Sequence, residues 1–280
     1  MPTLREKMKE EMTLVGLSES TQKIYLNAVI RLNTHYQKSP AYLTTQEIRD
    51  YLLYLLKEKK LSPNTYNTHV YALRFFYMIT LRQPLRKLDL PATKVTYKLP
   101  SILSADEVKR IIQATGNLKQ RTLLMVIYGA GLRVSEAVKL RINDIDRARM
   151  TLHIRCSKGG KDRYVVLSPV VLRALIFFWK NCPFDDYIFT SQRASGKPMT
   201  TANAAHIFKL SKAKAGVTKA GGIHSLRHAF ATHLLELGTD IFAIKEWLGH
   251  ASIQSTVRYL AFVPSRYAQI QSPIEHLNLS

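Results

Sequence analysis

The stretch TLHIRCSKGGKDRYVVL, residues 151–167, contains the clear β pattern of this chain. Residues 151–156 and 163–167 either alternate polar and apolar side chains or run apolar, which is typical of strands. The tetrapeptide KGGK at 158–161 separates the two runs, and glycine at this place favours a turn. The stretch therefore predicts an antiparallel hairpin with a basic tip.

Helical patterns lie on both sides of this hairpin. Ser104 and Glu107 form a capping box that opens the first helix of the second half of the chain. Apolar spacing predicts further helices along the rest of this half. The predicted ranges are 104–115, 118–129, 134–140, 169–181, 200–214, 224–237, 240–248, 252–262 and 266–277. We therefore expect a helix-rich α/β domain with a small antiparallel sheet at 104–280.

The first 90 residues predict a separate domain of four helices. Thr44 and Glu47 form another capping box, and Ser62 is followed by proline at a first helical position. The following residues, 91–103, contain Pro91, Pro100 and two lysines and have no helical period, which favours a linker. The fold class expected for the whole chain is mainly α, with two domains joined by this linker.

The charge of the chain indicates a polyanionic partner. It has 280 residues, with 41 Lys plus Arg against 20 Asp plus Glu and a formal net charge of +21. Nucleic acid is the commonest partner of so basic a protein. An anionic membrane is the competing partner, but the sequence has no long apolar run, signal peptide or lipidation motif. The remaining alternative is that the charge serves solvation alone.

Cysteine and histidine usage argues against a metal site. Cys156 and Cys182 form neither a CxxC motif nor a disulfide framework, which predicts a reducing, cytoplasmic location. His224, His228 and His233 share one helical stretch, but no thiol or carboxylate joins them at ligand spacing. We therefore expect neither a metal nor a cofactor.

Three short sequence motifs contain residues suited to phosphate chemistry. Arg133 follows two glycines at a predicted helix start, where the guanidinium and the helix dipole can both hold an anion. Lys158 lies at the hairpin tip. His224 and Arg227 share one face at another helix start. Each motif also has an ordinary interpretation, such as a surface pair between Arg133 and Glu136 or a charged turn that keeps the hairpin soluble.

A possible nucleophile follows near the end of the chain. His250 comes directly after a glycine at a predicted helix end, and Tyr259 lies nine residues later. A phenol becomes a useful nucleophile only where cations stabilise its oxyanion. The alternatives are a capping histidine and a buried core tyrosine, with Tyr267 as the other candidate nucleophile. His228 lies off the face of the phosphate-binding pair, and we interpret His228 and His233 as structural residues.

The order of these motifs resembles that of the tyrosine recombinase (phage integrase) family. The boxes are GAGLRVSE at 129–136, KGGKDR at 158–163, HSLRH at 224–228, and the run from LGH at 248–250 to Tyr259. The resemblance covers residues 104–262 and extends more weakly to the first 90, which are similar to the family's helical core-binding (SAM-like) domain. Within the family, the chain is similar to short Xer-like and integron-type integrases.

This resemblance implies a site-specific DNA recombinase, an integrase of the mobile-element type, that works without metal or ATP. Tyr259 would attack the scissile phosphate and form a 3′-phosphotyrosyl link. Arg133, His224 and Arg227 would hold that phosphate. Lys158 would protonate the leaving 5′ oxygen, and His250 would assist at the phosphate or at the tyrosine proton. The further DNA-contact candidates are Lys94, Lys98, Lys161 and Arg163.

The resemblance also implies an assembly on double-stranded DNA. We expect the two domains to form a C-shaped clamp and four copies to act together on two DNA sites, in association with the nucleoid. The helix at 266–277 would dock on a neighbouring copy or pack on its own domain. A type IB topoisomerase and a non-catalytic DNA-binding protein of the same fold are the rival interpretations.

Overall fold

The computed structural model describes residues 3–83, 92–94, 101–155, 162–183, 186–191 and 196–263. Its contacts divide the chain into two compact units, Met1–Lys98 and Leu99–Ser280. Much of the predicted linker at 91–103 lies outside the described residues, as do the hairpin tip and the predicted helix at 266–277. In the described part of the chain, no helix is both long and apolar enough to cross a membrane.

Within the described residues, the first unit contains four α-helices, as the sequence predicts. They are α1 (Leu4–Leu14), α2 (Glu19–Tyr36), α3 (Thr45–Lys57) and α4 (Pro63–Phe75), with a 3₁₀ turn at Pro40–Tyr42. The Thr44 side chain accepts from the backbone N–H of Glu47, whose carboxylate accepts from the backbone N–H of Thr44, so the predicted capping box is formed. Ser62 caps α4, and a proline follows it in the first turn.

The core of this unit is built from the inward faces of all four helices. Met8, Leu32, Tyr51 and Val70 are buried in it. The Tyr77 hydroxyl is also buried and donates to the backbone carbonyl of Pro40 at 2.7 Å, so its polar atom is satisfied. A π-helical turn at Phe76–Thr80 continues directly from α4.

The second unit is rich in helices and carries a small sheet. Its longer helices are α5 (Ala105–Ala114), α6 (Leu118–Gly129), α8 (Pro169–Asn181), α9 (Thr201–Lys214), α10 (His224–Glu236) and α11 (Ile241–Leu248). The shorter ones are α7 (Val134–Ala137) and α12 (Gln254–Val257), and a 3₁₀ segment at Arg258–Phe262 follows α12. These bounds confirm the predicted helices that lie within the described residues, although α7 ends three residues before the predicted end at 140 and the predicted helix at 252–262 is split between an α and a 3₁₀ part.

The sheet has three antiparallel strands in the order β1, β2 and β3. They are β1 (Ile145–Asp146), β2 (Thr151–Ile154) and β3 (Arg163–Val166). The pairing of β2 with β3 confirms the predicted hairpin, with Leu152 opposite Val165 in the register. The strand β1 was not predicted, because two residues are too few to show a period.

Two apolar clusters hold the second unit together. The larger one is formed by α5 to α9 and the inward face of the sheet, and Leu226 and Ala229 of α10 complete it. The smaller one joins the other side of α10 to α11 and to Tyr259 of the 3₁₀ segment. Helix α10 therefore lies between both clusters, and Leu226 in its first turn is buried in the larger one.

Candidate active site

The residues predicted from the sequence lie at the ends of short elements. Arg133 is the N-cap of α7, and His224 and Arg227 form the first turn of α10. His250 follows the left-handed C-cap Gly249 (φ 61°), and Tyr259 lies in the 3₁₀ segment after α12. Because these residues lie where elements start or end, side chains from four elements point toward one region.

Glu136 organises the arginines of this region. Its side chain is only 6% exposed and accepts from Arg133 at 2.7 Å and from both terminal nitrogens of Arg163 at 2.8 Å. Burial alone would raise the pKa of this carboxyl group, but the hydrogen bonds and charge of Arg163 and the hydrogen bonds of Arg133 lower it to about 2. The carboxylate is therefore ionised at neutral pH and fixes both guanidinium groups.

Arg227 is held by backbone oxygens. Its terminal nitrogens donate to the carbonyl of Gly131 at 2.8 Å and to the carbonyl of Leu248, and Glu136 lies 3.8 Å away. Burial and the neighbouring Arg133 lower its pKa to about 10, so the guanidinium stays charged at pH 7. Arg133 is linked to the same loop, because it donates to the carbonyl of Gly249 at 3.0 Å.

Gly131 allows this close packing. Its φ is 61°, in the left-handed region that side chains rarely adopt. A Cβ atom at this position would lie 2.4 Å from the Phe230 ring on α10. The glycine therefore brings the backbone before Arg133 against α10, where the Gly131 carbonyl receives Arg227.

The two predicted histidines are neutral at pH 7. Burial lowers the pKa of His250 to about 4, assisted by the charges of Arg227 and Arg133. Burial, followed by the charges of Arg227 and Arg133, also lowers the pKa of His224, although the residue as a whole is exposed. The Nδ1 atom of His250 lies 2.8 Å from the Thr256 hydroxyl, which orients the ring.

Tyr259 lies within this cationic group. The residue is 5% exposed, and its hydroxyl lies 2.9 Å from Nδ1 of His228. Its ring is roughly parallel to the His250 ring at a centroid distance of 6.4 Å. Burial raises the pKa of the phenol, while the charges of Arg227 and Arg258 act in the opposite direction. The hydroxyl is therefore protonated at neutral pH, next to charges that would stabilise its anion.

The structure thus brings together five of the six predicted site residues, namely Arg133, His224, Arg227, His250 and Tyr259. The sixth, Lys158, lies outside the described residues, and so do Lys98, Lys161 and the alternative nucleophile Tyr267. Lys94 is described and exposed in the first unit.

Arg163 occupies a different place from the one expected of a phosphate contact. Its side chain is 10% exposed, binds Glu136 with two nitrogens and donates its Nε–H to the carbonyl of Trp247. A guanidinium that is buried on a carboxylate does not face solvent. Arg163 therefore supports the site by holding Glu136 in place. The sequence could not distinguish the two positions, since both require only a basic residue after the hairpin tip.

The interpretation of His228 as a structural residue off the site is wrong. The ring contacts the hydroxyl of Tyr259. A three-residue spacing places His224 and Arg227 on one face, but it does not show that His228 reaches the segment packed against α10. His233 has a different partner, with its Nδ1 atom 2.9 Å from the Tyr128 hydroxyl. The pairing of Arg133 with Glu136, considered an ordinary alternative, is present within the site.

Comparisons with known proteins agree with this geometry. Residues 101–265 match the model described as Phage integrase family, and residues 4–87 match Phage integrase, N-terminal SAM-like domain. The chain is 40% identical over 280 residues to a Sinorhizobium fredii protein named as an integrase/recombinase, covering 99% of this chain and 90% of that protein. It is 31% identical over 288 residues to tyrosine recombinase XerA of Pyrococcus furiosus, covering 99% and 96%.

A solved structure shows the same fold. The XerH site-specific recombinase, bound to a palindromic difH substrate in a post-cleavage complex, aligns with a TM-score of 0.73 and 21% identity over 95% of this chain and 83% of that one. The family models cover most of the chain, and they include the segments that carry the site. The chain therefore belongs to the phage integrase family, and it is a tyrosine recombinase, an enzyme that breaks and rejoins DNA strands at specific sites.

Proposed function

We propose that Tyr259 is the nucleophile and that Arg133, His224 and Arg227 bind the scissile phosphate. The phenolic oxygen attacks phosphorus, the bond to the 5′ oxygen breaks, and the DNA is joined to the protein through a 3′-phosphotyrosyl link. A 5′ hydroxyl from a partner duplex then attacks this link and releases the tyrosine. The energy of the original bond is kept in the covalent intermediate, so this sequence of steps needs no ATP.

The observation that carries this proposal is the position of the Tyr259 hydroxyl among cations. Three arginines, Arg227, Arg258 and Arg133, act on its pKa. Fixed guanidinium groups stabilise the negative charge that develops on a phosphate in the transition state. The anchoring of Arg133 to Glu136 and of Arg227 to backbone carbonyls holds these two guanidinium groups in place before the substrate arrives, which avoids reorganisation during the reaction.

Two further residues complete the proposed chemistry. Lys158, which lies in the sequence between β2 and β3, would protonate the leaving 5′ oxygen. His250 is neutral in the free protein, and its ring is held beside Tyr259 by Thr256. It can therefore donate a hydrogen bond to a phosphate oxygen through its other ring nitrogen.

The proposed substrate is double-stranded DNA bound by both units. The net charge of +21 supports binding that depends on release of counterions from phosphates. We assign Lys94, Lys98 and Lys161 to contacts with the DNA backbone, which position the protein without reading sequence. Recombination between two duplexes, each cut at two places, requires four active sites, so we propose a homo-tetramer on DNA.

The catalytic assignment can be tested with a nicked duplex whose cleaved end diffuses away and traps the covalent complex. Its site would be selected from a randomised DNA library by binding to the wild-type protein. We expect Tyr259→Phe to bind this duplex as tightly as wild type and to form no covalent complex. The matched control, Tyr267→Phe, should form the complex at the wild-type rate. A complex that survives in Tyr259→Phe and disappears in Tyr267→Phe would assign the nucleophile to Tyr267.

A second assay separates recombination from the chemistry of a type IB topoisomerase. Two duplexes that carry the selected site should exchange strands and give products of a new length. Relaxation of a supercoiled plasmid without any exchanged product would support the topoisomerase interpretation instead.

A further inference from the structure

His228 contacts the reacting atom of the proposed nucleophile. Its Nδ1 atom lies 2.9 Å from the Tyr259 hydroxyl, and the two ring centroids are 5.7 Å apart with an angle of 49° between the ring planes. Among the described residues, this is the side chain in hydrogen-bond contact with that hydroxyl. A proton could pass between these two atoms without any movement of the backbone.

The surroundings of His228 keep its ring neutral. The ring is half-buried, and the titratable groups that act electrostatically on it are His224 and Arg227 on its own helix and Arg258 from the 3₁₀ segment. Burial, followed by these three groups, lowers the pKa of the imidazole. A neutral imidazole offers one unprotonated nitrogen, and the protonated phenol supplies the hydrogen. In the tautomer that carries its proton on Nε2, Nδ1 accepts the hydrogen bond that the phenol donates.

The other histidines of the site are less well placed to take the phenolic proton. His250 has its Nδ1 atom engaged by the Thr256 hydroxyl at 2.8 Å, and its ring is roughly parallel to the Tyr259 ring at 6.4 Å between centroids. His224 stands three residues from Arg227 at the exposed start of α10, where it is suited to a phosphate oxygen. The contact geometry thus separates a proton acceptor from two phosphate ligands.

A second histidine–tyrosine pair on the same helix provides a comparison. His233 of α10 has its Nδ1 atom 2.9 Å from the hydroxyl of Tyr128 on α6. The charge that acts on the pKa of Tyr128 is that of Glu236, which raises it further after burial. The two pairs have the same atoms at the same distance, but only Tyr259 lies beside arginines that favour an anionic oxygen.

We propose that His228 is a catalytic residue that accepts the Tyr259 proton during cleavage and returns it during rejoining. As the phenolic oxygen forms its bond to phosphorus, the O–H bond breaks and the proton moves to Nδ1, giving an imidazolium. The electron pair of the breaking P–O bond leaves with the 5′ oxygen, which takes its proton from a separate acid. In the reverse step, Nδ1 gives the proton back to the departing phenolate. This inference rests on the proposed role of Tyr259.

The test replaces His228 by asparagine, whose amide oxygen can take the place of Nδ1 and accept a hydrogen bond but cannot hold the proton. His233→Asn is the matched control. Single-turnover cleavage of the selected nicked duplex is measured for full-length proteins with all DNA bound. We expect His228→Asn to cleave about 100-fold more slowly, in the range of general-base effects, and His233→Asn to cleave at the wild-type rate.

Two more measurements distinguish proton transfer from a structural role. Incorporation of a fluorotyrosine of lower pKa at position 259 should restore much of the rate in His228→Asn and change the wild-type rate little. The rate of His228→Asn should also rise with pH as the phenol ionises. A slow variant that neither fluorotyrosine nor high pH rescues would overturn the proton-transfer role.

The remaining outcomes also decide the inference. Cleavage by His228→Asn at or above the wild-type rate would overturn it, and a faster rate would mean that the contact restrains the hydroxyl. Failure of the wild-type protein to form any covalent complex would instead overturn the proposed function. In that case, the inference falls with it.

Discussion

Replacing Glu136 by glutamine removes the negative charge that Arg133 and Arg163 share. The glutamine has nearly the same shape and keeps an amide oxygen that can accept one hydrogen bond. It leaves buried guanidinium groups without their counter-charge, in a place where the Glu136 side chain is 6% exposed and the Arg163 side chain 10% exposed. The change should therefore lower the free energy of unfolding of the second unit.

Two independent routes give the size of this effect. Folding lowers the pKa of Glu136 from 4.5 to about 2, and a shift of this size corresponds to about 3 kcal/mol of stability at pH 7. Removal of one partner from a buried ion pair costs about 3 to 5 kcal/mol in other proteins. We expect Glu136→Gln to lose about 3 kcal/mol at pH 7.

The pH dependence has a definite sign. A carboxyl group whose pKa is lowered by folding stabilises the protein above the pKa of its unfolded state, and it loses this effect as the pH falls toward the folded value. The difference in unfolding free energy between wild type and Glu136→Gln should therefore narrow below pH 4.5, to about 1.4 kcal/mol at pH 3.

Urea unfolding followed by tryptophan fluorescence measures this difference in the intact chain. The two tryptophans, Trp179 and Trp247, both belong to the second unit, so the signal reports on the unit that contains Glu136. Glu246→Gln is the control, because its carboxylate is 74% exposed and pairs with Lys245 at the surface. The control should change stability by less than about 0.5 kcal/mol. A Glu136→Gln protein as stable as this control at pH 7 would show that the carboxylate does not stabilise the second unit through Arg133 and Arg163.

Three further predictions concern the site. Gly131→Ala should destabilise the second unit by about 3 kcal/mol in the same urea assay, because it combines a left-handed backbone with a contact of 2.4 Å to Phe230, and unchanged stability would contradict this packing. Arg227→Lys should slow covalent-complex formation about 100-fold with little loss of DNA binding, since lysine cannot donate to both the Gly131 and Leu248 carbonyls, and a wild-type rate would show that this anchoring is dispensable. Lys158→Ala should slow cleavage far more than binding, and a substrate with a bridging 5′ sulfur should restore its cleavage rate. If this substrate does not restore the rate, Lys158 is not the general acid.

Much of the fold follows from local sequence rules. Thr44 and Glu47 fix a helix start by a capping box, and alternation at 151–154 and 163–166 fixes the hairpin. These signals involve residues close in sequence, so no tertiary information is needed to read them. The strand β1 was missed because its two residues gain their structure from pairing with β2.

The residues of the site could be predicted from the sequence, but the contacts between them could be predicted only in part. Arg133, Arg227 and Tyr259 belong to recognisable motifs, whereas their partners depend on packing between distant segments. Arg163 lies 27 residues from Glu136, and His228 lies 31 residues from Tyr259. The sequence shows a basic residue and a histidine at these places, but only the fold decides that one binds a carboxylate and the other a phenol.

The attachment point of the DNA shows which residue is the nucleophile. The covalent complex formed by wild-type protein with the nicked duplex would be digested with trypsin, and the peptide that carries the nucleotide would be sequenced by mass spectrometry. If Tyr259 is the nucleophile, we expect a nucleotide attached through its 3′ phosphate to Tyr259, in the peptide that follows Arg258. A nucleotide attached to any other residue, or through a 5′ phosphate, would contradict this assignment.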